Sequence, residues 1–312
     1  MRRLAAFSRF LRPNRVAGLA VLAICGFGLA AAQQAFRVYP SFEGADAEAP
    51  LPPDWNVPGE LVIGRLMYPS AGSGFFRGGD WRQGGTGWTD DYPRADRELA
   101  LMLRRLTRMN VRSVEQPVNL DDGDDVHHWP FLISGLAQSW NLSDAQAATL
   151  REYLLRGGFL FCDSFYGDRN WAAFAESLKR VFPDRPIVDL TDDHPIFHSA
   201  FNLPHMTGAQ ISNMNSLMAG GPGYLSGGRT PHWRGVADET GRLMVLIAFN
   251  NDVADAWQWA DDKRYPAQQA NLALRLGVNV AMYAMTHWPL TNARRRPGKA
   301  IRYTRAHPFH NK

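Results

Sequence analysis

Residues 143–168, SDAQAATLREYLLRGGFLFCDSFYGD, decide the fold class. Ser143 with Gln146 three residues later is a capping-box start for a helix. Ala147, Leu150, Tyr153 and Leu154 then recur at helical spacing. Gly157-Gly158 supplies the left-handed stop that a short turn into a strand needs. Phe159, Leu160, Phe161 and Cys162 form a wholly apolar run, as expected of a strand covered on both faces. Asp163 follows at the carboxyl end of that strand, where open α/β sheets bind ligands.

The pattern repeats on both sides of this unit. Strands are expected over residues 61–67, 111–118, 131–133, 187–190 and 243–249, the last (LMVLIAF) being the strongest. Helices are expected over residues 94–109, 171–181 and 268–287, stopped by Pro183 and Pro289 in the last two cases. Signals between residues 202 and 242 are weak. Strands alternating with helices argue for a three-layer α/β domain with a largely parallel sheet flanked by helices.

The ends differ from the body. Residues 1–15 carry five arginines and no acid, residues 16–32 carry no charge, and Ala30 and Ala32 stand at cleavage-site spacing before Gln33. An export signal over residues 1–32 is expected, with an uncleaved N-terminal anchor as the alternative. Its removal leaves 29 basic against 30 acidic side chains, so no nucleic-acid partner is expected. Residues 33–59 read as a Pro-rich acidic linker, residues 60–290 as one domain, and residues 291–312 as a basic disordered tail. Membrane contact is expected, if anywhere, through residues 16–32 or 293–312. Only Cys25 and Cys162 occur, and Cys162 reads as a small buried hydrophobe.

Four motifs in order carry a family resemblance: Thr89-Asp90-Asp91-Tyr92-Pro93-Arg94-Ala95-Asp96, the unit over residues 150–163, Asp193-His194-Pro195-Ile196-Phe197, and Asn250-Asn251-Asp252. With them, residues 60–288 resemble the bacterial domain-of-unknown-function family 4159. The resemblance implies a class I glutamine amidotransferase-like (flavodoxin-like) fold, members with export signals or membrane segments, and no established activity. The Cys-His-Glu triad of amidotransferases is not recognisable, because Cys162 lies between Phe161 and Asp163 and not in a Gly-x-Cys-x-Gly turn. The reading therefore leans away from an enzyme.

The loop over residues 68–92 sets glycines among Phe75, Phe76, Trp81 and Trp88, yet fits neither phosphate-binding glycine pattern. Asp90, Asp91 and Asp96 surround a helix start, where acids meet the helix dipole. Asn250, Asn251 and Asp252 follow the strongest strand, with Asp255 beyond. If the strands are parallel, these groups share one rim with Asp163. The expected ligand-binding residues are Trp88, Asp90, Asp91, Asp96, Asp163, Asp168, His194, Asn250, Asn251 and Asp252. The expected function is an exported cell-envelope domain, non-catalytic, binding an envelope protein or glycan. The alternative is a metal-assisted hydrolase of an envelope glycan or ester, with a divalent metal on Asp90, Asp163, His194 and Asp252. No other cofactor is expected.

Overall fold

The structure is a computed structural model that describes residues 35–71 and 79–288, and the backbone of residues 303–305. In chain order its elements are β1 (Phe36–Val38), β2 (Ile63–Met67), α1 (Arg94–Leu106), β3 (Gln116–Asn119), β4 (Phe131–Ser134), α2 (Asp144–Leu155), β5 (Phe159–Phe165) and α3 (Asp168–Val181). Then follow β6 (Val188–Asp189), α4 (Met214–Met218), β7 (His232–Ala237), β8 (Leu243–Phe249), α5 (Val253–Gln258), α6 (Ala267–His287) and β9 (Tyr303–Arg305). Seven strands form one sheet in the order β3-β2-β4-β5-β8-β7-β6. Neighbours from β3 through β8 pair parallel, while β7 is antiparallel to both β8 and β6.

Alternation along the central strands divides the core into two layers. Phe159 and Phe161 join Leu99 and Leu103 of α1, Trp257 of α5 and Leu276 of α6 on one face. Leu160 and Cys162 join Leu150 and Leu154 of α2 and Phe174 of α3 on the other. Both faces of β5 are therefore dry, which is why it reads as an unbroken apolar run. The joint before β5 forms as its residues dictate. Ser143 Oγ accepts from Gln146 N at 3.2 Å and Gln146 Oε1 accepts from Ser143 N at 3.0 Å. Gly157 takes φ +106°, and a Cβ on Gly158 would stand 2.3 Å from the Tyr153 ring. Glycine is required there on both counts.

The structure departs from the expectations in five places. Within residues 111–118 only the last three are strand, because the Arg112 guanidinium binds the carbonyls of Val114 and Glu115 locally. The first expected helix stops at Leu106, where Thr107 turns extended and its Oγ1 donates back to Leu103 O at 2.6 Å. Strand β7 lies in the stretch of weak signal. Residues 35–59, expected as an extended spacer, lie along the domain: Phe36 and Ala47 are buried, and Arg97 donates to Ala49 O at 2.6 Å. In the basic tail, expected as disordered over residues 291–312, β9 pairs parallel with β1. The expected signal or anchor over residues 1–32, residues 72–78 of the glycine-rich loop and the rest of the tail lie outside the described residues. Among the described residues no helix is long and apolar enough to cross a membrane.

One buried ion pair ties sheet to helix. Arg65 on β2 meets Asp96 on α1 through two bonds, Nε to Oδ1 at 3.2 Å and Nη2 to Oδ2 at 2.8 Å, with neither side chain exposed. Burial pushes Asp96 up to about 6, and the Arg65 guanidinium opposes that rise. Removing one partner strands a charge in the interior. Asp96→Ala should therefore cost about 3–5 kcal/mol of folding stability. Asp261→Ala, which removes the exposed partner of Arg94, should cost far less. Equal losses in denaturant titrations would contradict this assignment.

Candidate functional site at the carboxyl ends of the parallel strands

Three connections bring acids to one rim. A register shift after Cys162 takes Asp163 and Ser164 out of the β5 ladder, and Ser164 adopts φ +62°. The Asp163 carboxylate thereby reaches the amino end of α5, where Oδ2 accepts from Ala254 N at 2.7 Å. Asp252 follows β8 and caps α5, its Oδ1 accepting from Asp255 N at 3.3 Å. Ser164 Oγ lies 2.9 Å from Asp252 Oδ1 and 3.3 Å from Asp91 Oδ2, so one hydroxyl links the turns after β5 and β8 to the loop before α1. Asn213 closes the group from the side, donating to Asp252 Oδ2 at 2.9 Å and Asp255 Oδ2 at 3.1 Å.

The segment over residues 41–50 brings a further acid. Glu43 Oε2 accepts from Asp91 N at 3.2 Å and from Gln258 Nε2 at 3.0 Å. Oxygens of Glu43, Asp91 and Asp255 lie within 4.8 Å of one another, a spacing that could hold a metal ion. Asp163, Asp91, Asp252 and Asp255 are buried, and Glu43 and Asp90 are half-buried.

Electrostatically the group is strained. Burial comes first in raising every one of these carboxyls, and at Glu43, Asp90, Asp91, Asp163 and Asp255 neighbouring negative charge adds to it. For Asp163 the added charge is Asp252, opposed by backbone N–H groups of Ala254, Val253 and Ser164. For Asp91 it is Asp90, then Asp255, Asp252 and Glu43. Hydrogen bonds from Asn213 and Ser164 offset part of the burial at Asp252. Such a crevice takes up protons, a cation or a ligand rich in donors.

The structure gathers Asp90, Asp91, Asp163 and Asp252 from the expected set and leaves others elsewhere. His194 is apart: its ring lies 6.4 Å from that of Tyr283, whose hydroxyl accepts from Leu243 N and whose ring packs on Phe159. Leu243 and Phe159 begin β8 and β5, so His194 sits at the opposite sheet edge, about 20 Å away by strand length. There its Nδ1 caps Ile196 N at 3.2 Å. The four-residue metal set containing His194 therefore does not converge.

The remaining candidates have structural partners. Asp96 is held by Arg65. Trp88 is buried and donates to Trp81 O at 2.7 Å. Asp168 is exposed in the first turn of α3. Asn250, at φ +60°, ties Gly167 N to Thr230 O, and Asn251 Oδ1 accepts from Ile211 N at 2.8 Å. Sequence reasoning missed Glu43, Ser164, Asn213 and Gln258 as site residues, and passed over Asp255. The signal for Asp255 was its place three residues after a capping aspartate; Glu43 carried none, being one acid in a Pro-rich segment.

These features define a mixed α/β domain with a largely buried acidic cluster at the carboxyl ends of a mostly parallel sheet. Residues 80–285 match the family described as Domain of unknown function (DUF4159), and the chain belongs to that family. No curated protein matches it. Glu43 lies outside the matched residues.

The raised carboxyls make stability depend on pH. A carboxyl raised in the folded state binds more protons folded than unfolded, so its contribution falls as pH climbs from about 4 through the folded value. With chelator present, the stability of Asp163→Asn relative to wild type should increase between pH 5 and pH 7. A difference that stays constant over that interval would show that Asp163 carries no such strain.

Proposed function

We propose that this chain is a ligand-binding domain of the cell envelope, with the strand-end crevice as its binding site for a hydroxyl-rich or amine-bearing glycan. The observation that carries the reading is the orphaned Tyr166 hydroxyl, 4% exposed and without a hydrogen-bond partner, in the field of Asp252, Asp255 and Asp163. Buried polar groups are nearly always paired, so an orphan beside a crevice points to a missing ligand. Carboxylates accept from sugar hydroxyls, as the acids around Tyr166 would from such a ligand.

An amidotransferase-like architecture, as the family resemblance implies, fits this reading without its chemistry. Cys162 is fully buried, and burial pushes its thiol up, away from a reactive thiolate. The envelope setting is supported by the arginine-rich start and the uncharged run before Gln33. The chain should fractionate with the envelope, and purified protein should bind envelope glycan fragments in calorimetry. Asp163→Asn and Tyr166→Phe should each weaken that binding at least tenfold. Undiminished binding in both variants would move the site elsewhere, and no binding to any fragment would reject the glycan.

One observation favours a second reading, ester hydrolysis. Ser164 holds a left-handed backbone one residue before the end of β5, four residues ahead of the following helix, with its hydroxyl 2.9 Å from the Asp252 carboxylate. A serine on a sharp strand-to-helix turn is the arrangement of a nucleophile elbow. In that chemistry Asp252 takes the Oγ proton as Oγ bonds the acyl carbon, then returns it to the departing alcohol; water next frees the acyl group. Fluorophosphonate should label wild type and not Ser164→Ala. No labelling of wild type would exclude the reading.

A further inference from the structure

We infer that Glu43, Asp91 and Asp255 form a calcium site, closed by the carbonyl oxygen of Gln258. The inference rests on the strand-end crevice being the ligand site, and names a hard divalent cation as part of what it binds.

Three acids from distant segments supply the ligands: Glu43 from the segment preceding β2, Asp91 from the loop before α1, and Asp255 from the first turn of α5. Their oxygens lie within 4.8 Å of one another. At that upper limit an ion at the centre of the triangle would stand about 2.8 Å from each oxygen. That bound admits the 2.3–2.6 Å of calcium, and three carboxylates with an amide oxygen are a donor set calcium takes, whereas magnesium is held by one or two carboxylates with waters and phosphates. The donor set is oxygen alone, as hard cations require.

The second observation is independent of the charges. Gln258 is fully buried, and its Oε1 has no hydrogen-bond partner. Its orientation is fixed, because Nε2 donates to Glu43 Oε2 at 3.0 Å and a carboxylate can only accept. The amide therefore sits at the cluster with its acceptor unused. Asp163 Oδ1 is likewise buried without a partner, beside Asp252. An orphaned acceptor on the amide that holds Glu43, beside three converging carboxylates, calls for a cation and not for another hydrogen-bond acceptor.

Glu43 gives the site a further property. Its segment is held to the domain by Arg97 at Ala49 O and by Phe42 N to Thr89 O at 3.2 Å. Calcium on Glu43 would add a further fastening to the same segment.

The test uses the full chain, stripped with chelator and desalted, in calorimetry and thermal unfolding with calcium, magnesium or manganese chloride. Wild type should bind one calcium saturably and unfold at a higher temperature with it, with magnesium at least tenfold weaker. Glu43→Gln preserves shape at a half-buried position and should lose calcium affinity at least tenfold while keeping the wild-type circular dichroism. Asp255→Asn is the second variant and should do the same. No saturable binding of any of the three ions would overturn the inference, as would undiminished binding in both variants; tighter magnesium than calcium would overturn the choice of ion. If cations fail while glycan fragments still bind in an Asp163-dependent manner, only the calcium site falls. If calcium binds as stated and no fragment does, the site stands and the glycan reading falls.

Discussion

The arrangement depends on one buried guanidinium. Arg65 lies inside the sheet on β2, grips Asp96 of α1 with two nitrogens, and offers the third to Asp90 O at 3.3 Å. That triple attachment fixes where α1 begins and therefore where the Asp90-Asp91 turn stands above the strand ends. Asp91 holds a left-handed backbone there, at φ +57°, an unfavourable conformation for a side chain with a Cβ. The same guanidinium lowers Asp90 against the surrounding acids. A lysine could not serve, because it lacks the planar fork that meets a carboxylate and a carbonyl together.

What was legible in the sequence was local. The Ser143–Gln146 box, the glycine pair and the apolar run of β5 declare themselves within a few residues, and the structure forms them as read. Asp163 and Asp252 could be placed on one rim because parallel strands put their carboxyl ends together. His194 could not be excluded the same way. Its motif precedes no strong strand, and only the packing of Tyr283 against Phe159 shows which edge it occupies.

Other contributions were invisible because they are tertiary. Glu43 lies in a segment with no periodicity, and its position depends on Asp91 N, Gln258 and the hold of Arg97 on Ala49 and Pro50. Strand β7 joins the sheet antiparallel through its pairing with β8, with Gly235 opposite Leu246 interrupting its apolar pattern. Ser164 was hidden by its place in an apolar strand; the register shift that frees it is a property of the β5–β8 pair.

The crevice joins these threads, since acids raised by burial and by one another share a rim with orphaned acceptors from Asp163 and Gln258. Crystals of the full chain soaked with a lanthanide, read by anomalous scattering, test this most directly. The account predicts one strong peak bounded by Glu43, Asp91 and Asp255, at about 2.3–2.6 Å from their oxygens as for the calcium ion it replaces. Peaks confined to exposed acids elsewhere, with that crevice blank, would contradict it.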